Sequence, residues 1–215
     1  MRDLVRHIGD VHRWAAAHVA DRRTERITDI TAVAGPLPAD RDLVTWFRDG
    51  HASLLETLGR ADPDVQCWSF LPAPSPLAFW ARRQAHETTI HRADAESPSG
   101  RIEPVDRAFA VDGIDELLLG FLGRGGTPPD TPDARAIGVR TADTDDEWFV
   151  RIWSDGAVAS RGSADADCIV SGPASDVYLF LWNRLDASAM DVDGDASILR
   201  TWRDTVRITW GGRRR

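Results

Sequence analysis

The stretch Trp80-Ala-Arg-Arg-Gln-Ala-His-Glu-Thr-Thr-Ile-His-Arg-Ala-Asp-Ala-Glu96 holds no glycine or proline and is the richest in reactive side chains. Wound as a helix, it places Trp80, Gln84, Glu87, His91 and Asp94 on one narrow strip. His86 and His91 are five positions apart, so they diverge by about 140° and cannot share a metal. The zincin pattern, with histidines four apart, is therefore absent. Glu87 and His91 are four apart, separated by about 40° and ~6 Å along the axis. Arg82 and Arg92 fall elsewhere and suit the solvent side. An inward-facing Glu-x-x-x-His strip is costly unless a metal or polar partners satisfy it. A solvated polar face is the alternative reading.

The flanks punctuate this helix. Pro72-Ala-Pro-Ser-Pro76 is a loop, with Ser75 a cap and Pro76 at the first helical position, so the helix is expected from about Leu77 to Ala95. Ser97-Pro98-Ser99-Gly100 ends it. Upstream, Leu4, Ile8, Val11 and Ala15 form one stripe of a helix from Arg2 to about Ala20. A second helix is expected from an Asp40 cap to about Gly59, burying Leu43, Phe47, Leu54 and Leu58. His7 lies on the edge of the first helix's stripe with Val11, Trp14 and His18, and His51 lies within the apolar face of the second. Spacing alone does not choose among His7, His12 and His18 as partners for Glu87 and His91.

Downstream the pattern changes. Val105 to Leu122 reads as a fourth helix, and Gly123 to Pro132 as a boundary or linker. Strand-like runs follow at Ala136–Arg140, Trp148–Trp153, Ala157–Arg161 and Cys168–Ser171. Ser154-Asp155-Gly156 signals a hairpin. Gly172-Pro173 opens a helix through Tyr178 and Trp182, and a last helix is expected over about Asp195 to Arg203. Helices first, then strands with flanking helices, imply an α domain over 1–100 and an α+β domain over 101–215.

Composition narrows the function. The chain has 215 residues, a net charge of −8, and only arginine among its 26 Lys and Arg positions. That balance argues against nucleic acid, which needs a basic stripe. No apolar run approaches the ~18 residues of a membrane span. The start is interrupted by acid and histidine and is not a signal peptide. The chain is therefore expected to be soluble and cytoplasmic. Cys67 and Cys168 are the only cysteines, both expected reduced, and no thiolate zinc pair exists.

Three segments then carry a resemblance. Asp3-Leu-Val-Arg-His-Ile-Gly-Asp-Val-His-Arg-Trp14, Arg82 through Glu96, and Val111-Asp-Gly-Ile-Asp-Glu-Leu-Leu118 are similar to the mycothiol-dependent maleylpyruvate isomerase family. The resemblance covers nearly the whole chain and is not specific for a substrate. It implies a DinB-like four-helix-bundle domain followed by a small α+β sandwich similar to sterol-carrier-like domains. Ser171-Gly-Pro-Ala-Ser-Asp176 and Val192-Asp-Gly-Asp195 match turns of that second domain. Family members begin with a helix and a Pro-Gly-Trp turn that this sequence lacks, so the expectation is a bundle with its first helix missing and apolar surface exposed. The Asp191, Asp193 and Asp195 alternation is not an EF-hand, because Ala196 and Trp202 stand where that loop needs Gly and Glu. Gly123-Arg-Gly-Gly126 follows no strand and is not a phosphate loop.

The resemblance also selects ligands. It implies a divalent metal, zinc above all, held by His7, Glu87 and His91. Two nitrogens and one carboxylate leave open positions, the catalytic pattern. Zinc suits such ligands, and a coordinated thiol loses its proton. In the family that thiol is mycothiol, which adds to a conjugated double bond, permits rotation and leaves; transfer to an electrophile is the other outcome. The implied partners are a small-molecule thiol and an electrophilic or unsaturated carboxylate, with a homodimer left open. A carboxylate needs a cation, and Arg83, beside the strip, is the nearest candidate catalytic residue. Arg200 and Arg203 on the last helix are others, although surface arginines are the plainer reading of each. Asp94 is expected either to orient a ligand histidine or to cap the helix end. The competing readings are a non-catalytic metal- or small-molecule-binding protein of the same fold, and an interaction module using the exposed bundle face.

Overall fold

The computed structural model describes residues 1–124 and 134–208. Two compact units divide between Arg101 and Ile102. The first holds three long helices: α1 (Arg2–Ala20), α3 (Leu43–Arg60) and α4 (Pro76–Glu96), with a single turn α2 (Thr31–Ala34) between the first two. Ser75 caps α4 as its sequence indicates, accepting from the Ala78 amide at 3.1 Å, with Pro76 next. Gly100, at φ 73°, follows the 3₁₀ turn that ends it. Asp40 does not cap α3. A 3₁₀ turn over Asp40–Asp42 precedes that helix, and the Asp40 carboxylate accepts instead from Arg6 at 2.8 Å. The charge–charge contact to α1 wins over the local cap.

α3 packs chiefly on α1, and α4 packs on α1. At Gly9 the backbone of α1 lies against the Trp46 ring, where a methyl group would collide. Leu43 and Leu54 are buried, but Phe47 and Leu58 are only half-buried, and Val44 and Leu55 are more than half exposed. The centre of the unit is aromatic. Trp80, fully buried, meets Trp14, Trp68, Phe79 and the His18 ring at 4.9–6.1 Å between centroids. Its indole N–H donates to the Trp68 carbonyl at 2.8 Å, satisfying the one polar atom such burial would orphan.

The second unit is α+β. It opens with α5 (Arg107–Asp115), capped by Asp106, and continues as π-helix over Glu116–Phe121. The strands are β1 (Arg135–Thr141), β2 (Glu147–Trp153), β3 (Gly156–Arg161), β4 (Cys168–Gly172) and β5 (Asp191–Gly194), ordered β3-β2-β1-β4-β5. All pairings are antiparallel except β1 with β4. Trp148, Val150 and Ile152 form the inward phase of β2, with Ile137 opposite Val150 and Cys168. β2 and β3 form the expected hairpin through Ser154-Asp155. α6 (Ala174–Leu181) and α7 (Ile198–Thr205) pack on the sheet.

Two expectations need correction. Val192-Asp-Gly-Asp195 is not only a turn, because 191–194 pair with β4 as an exposed edge strand. Acidic residues and a glycine hide a strand from propensity, yet suit a sheet edge that must not recruit another chain. The last helix starts at Ile198, since Asp195 turns back to accept from the Ser197 amide and hydroxyl. The loop or boundary expected at 123–132 lies mostly outside the described residues.

Candidate metal centre

α1 and α4 run antiparallel, as their contacts show: His7 faces Glu87 and His91, while Trp14 faces Trp80. The strip inferred from helical spacing forms. Trp80 is fully buried and Gln84 nearly so, while side-chain exposure rises through Glu87 at 13%, His91 at 17% and Asp94 at 29%. The polar end of the strip therefore opens toward solvent at the C-terminal half of α4, beside the start of α1.

Glu87 Oε1 lies 3.6 Å from His7 Nε2 and 3.3 Å from His91 Nε2. The ligand atoms of the three residues all lie within 4.8 Å of one another, the one such cluster found among the described residues. Glu87 Oε1 is buried yet accepts no hydrogen bond. A buried carboxylate oxygen that meets its neighbours only at ion-pair distance is an exception that needs a cause. Ligand atoms about 2.0–2.2 Å from a tetrahedral ion stand roughly 3.3–3.6 Å apart, which matches the two separations from Oε1. The donor set and the orphaned oxygen both fit a divalent ion.

The surroundings prepare each group. His91 Nδ1–H donates to Asp94 at 2.7 Å, which fixes the tautomer and turns Nε2 toward Glu87. Burial alone would lower the His91 pKa, but Asp94 and Glu87 overcome it and raise it to about 8. Burial would raise the Glu87 carboxyl, yet His7, His91 and Arg83 hold it well below the usual range. Arg83 is only 3% exposed, and its Nη2 donates to Glu87 Oε2 at 3.0 Å. It is thus neither a surface arginine nor a group reaching outward. It neutralises one carboxylate oxygen and leaves the other turned to the imidazoles.

Arg200 is exposed, and Arg203 pairs with Asp186 at 3.2 Å. His86 is buried outside the cluster, as its spacing requires. His18 is structural: Nδ1 donates to the Trp14 carbonyl and Nε2 accepts from the Ile27 amide. Sequence reasoning missed the His12–Thr88 contact. His12 is fully buried, its Nε2 is 3.0 Å from Thr88 Oγ1, and its Nδ1 has no partner. Burial, then the neighbouring His51, lowers its pKa to about 4, so it is neutral at physiological pH. Thr88 adjoins Glu87, which was the available clue. Arg83 had a clearer one, standing four residues before the acid it pairs with.

Residues 1–96 match the family model described as the mycothiol maleylpyruvate isomerase N-terminal domain, and residues 108–201 that of the same family's C-terminal domain. The chain belongs to the mycothiol maleylpyruvate isomerase family. Comparison with curated proteins gave no match. Among solved structures, the chain is similar to the stereoselective inverting sec-alkylsulfatase Pisa1 from Pseudomonas sp., at 15% identity and TM-score 0.36, covering 80% of this chain and 26% of that one. A double mutant of the same sulfatase aligns at 17% identity and TM-score 0.36, over 84% and 27%. The chain thus spans about a quarter of the length of these structures. Among the described residues, no helix is long and apolar enough to cross a membrane.

Proposed function

We propose that the chain is a divalent-metal- and mycothiol-dependent enzyme, a thiol-assisted cis–trans isomerase or mycothiol S-transferase acting on an electrophilic or unsaturated carboxylate. The ion, zinc by preference of its ligands, is held by His7, Glu87 and His91 of the helical domain over residues 1–100. The observation that carries this reading is Glu87 Oε1, buried with no hydrogen bond of regular geometry and set between two imidazole Nε2 atoms at 3.3 and 3.6 Å. When bound, the metal supplies the charge that makes a thiolate from mycothiol's thiol at neutral pH. With the two imidazoles, Arg83 keeps Glu87 ionised, and it holds the Oε2 oxygen so that Oε1 is the one left to face the ion. Arg83 is a positioning residue in this reading rather than a contact for the substrate carboxylate. Asp94 holds the His91 ring in register.

Two measurements test the reading. Metal analysis of the purified chain should give one equivalent, lost in His91→Ala. Mycothiol should then raise the thermal midpoint of the zinc-loaded form and leave the chelated form unmoved. Metal-free protein whose stability ignores chelation would sink the metal site. A metal-loaded protein unmoved by mycothiol would leave a metal-binding protein without thiol chemistry.

A further inference from the structure

The second unit contains a cavity of about 340 Å³ between the end of α6 and the end of α7. That volume lies at the lower end of the range for small-molecule sites. Leu117, Trp182 and Val206 line it, each less than a tenth exposed. Arg184, Arg203 and Arg207 line it too. Three arginines lining one cavity are a local reversal in a chain of net charge −8.

Irregular backbone builds the walls. Leu117 comes from the π-helical segment, a form frequent at functional sites. Asn183, also lining the cavity, stands at φ 61°, uncommon for a residue with a side chain. Its amide nitrogen donates to the Val206 carbonyl at 2.8 Å and so ties one wall to the other. Trp202 Nε1 adds a second tie, to the Leu181 carbonyl at 3.2 Å. The space is therefore shaped in advance of any ligand.

The plainer role for the arginines is to satisfy chain carbonyls near the helix ends. Arg203 does donate to the Leu185 carbonyl, and Arg207 to that of Arg203. Each uses one of five guanidinium N–H groups in doing so. Their acidic partners, Asp186 and Asp204, have side chains 64% and 75% exposed. Exposed pairs of this kind contribute little, so an incoming carboxylate can replace them and leave no buried charge behind. A guanidinium fork matches a carboxylate bidentately, and an indole and aliphatic floor suits a flat apolar body.

We infer that this cavity binds a small organic anion with an aromatic body, its carboxylate on Arg203 and Arg207 and its ring against Trp182, Leu117 and Val206. The site stands on its own, apart from the chemistry proposed for the metal. Calorimetric titration of the full chain with naphthoate, and with naphthalenemethanol as the neutral counterpart, tests it. Naphthoate should bind at one saturable site, equally with zinc loaded and after chelation. It should bind at least about tenfold more tightly than the alcohol, and lose about tenfold in the Arg203→Gln/Arg207→Gln variant. Arg207→Gln alone, at a largely exposed side chain, should give part of that loss with an unchanged circular dichroism spectrum. Equal affinity for acid and alcohol, affinity unchanged in the variants, or binding that disappears on chelation would each overturn the inference.

Discussion

Replacing Asp94 by alanine removes the acceptor that holds His91 Nδ1–H at 2.7 Å. The loss has two opposing consequences for metal binding. Without Asp94 the ring is no longer fixed with Nε2 toward Glu87, and losing such an outer partner typically costs roughly 10–100-fold in affinity. That range corresponds to ~1.4–2.7 kcal/mol. Asp94 also helps raise the His91 pKa to about 8, against the burial that lowers it. Metal and proton compete for the same lone pair. At about pH 7 the protonated ring of the native protein outnumbers the neutral one roughly tenfold, and apparent affinity falls by about that factor. The alanine variant is relieved of part of this competition. Its deficit should therefore be full at about pH 9, and smaller by up to about tenfold near pH 7. Competition against a chromophoric chelator at the two pH values measures both. An equal deficit at each pH, or none at the higher one, would refute the assignment of Asp94 as the group that orients and charges His91.

Arg83→Met leaves the buried Glu87 carboxylate without its guanidinium and should destabilise the chelated protein by about 3 kcal/mol in urea unfolding. Loading zinc should recover part of that loss; an identical loss in both forms would separate Arg83 from the metal. Gly9→Ala forces a methyl group into the Trp46 ring and should cost about 1–3 kcal/mol, with Trp46→Ala in the same chain restoring some of it. Additive destabilisation in that pair would show the seam does not meet there. For His12 the folded pKa of about 4 lies below the unfolded value of about 6.5. The stability it contributes is thus complete above the unfolded value and lost as pH falls toward 4. Metal-free protein should lose about 3 kcal/mol from this source over that window, and His12→Gln should flatten the slope. A slope unchanged in the variant would assign the acid sensitivity to other groups.

The legible part of the site was the part set by one helix. Glu87, His91 and Asp94 share a strip because the backbone repeat fixes their angles, whatever packs against them. His7 was not legible this way, since its relation to α4 is tertiary and His12 and His18 lie on the same helix. Resemblance chose it, and the geometry shows why its neighbours differ: His18 is fastened at both ring nitrogens, and His12 faces Thr88. Strand existence was readable from β1 to β4, but the parallel pairing of β1 with β4 leaves no mark in local pattern. β5 was missed because its exposed acidic residues are selected for the sheet edge rather than for strand propensity.

The two oxygens of Glu87 are treated differently, and this asymmetry bears on what the cluster is for. A structural ion-pair network would give both oxygens donors, because a half-satisfied buried carboxylate is costly. Here Arg83 engages Oε2, while Oε1 faces two nitrogens without a hydrogen bond. With Nδ1–H committed to Asp94, His91 Nε2 is either a bare lone pair beside an anion or a protonated cation. The first arrangement is repulsive, and the raised pKa says that the proton resolves it near neutrality. The proton thus occupies the place where the field of Glu87 and Asp94 draws a positive charge. An ion that coordinates His7, Glu87 and His91 would answer the same field and draw all three groups onto one centre, which one proton on His91 does not. Zinc loading should accordingly release a proton per ion at about pH 7 and none near pH 9, measurable as a buffer-dependent binding enthalpy. Binding without proton release near neutrality would mean that His91 is not where the ion sits.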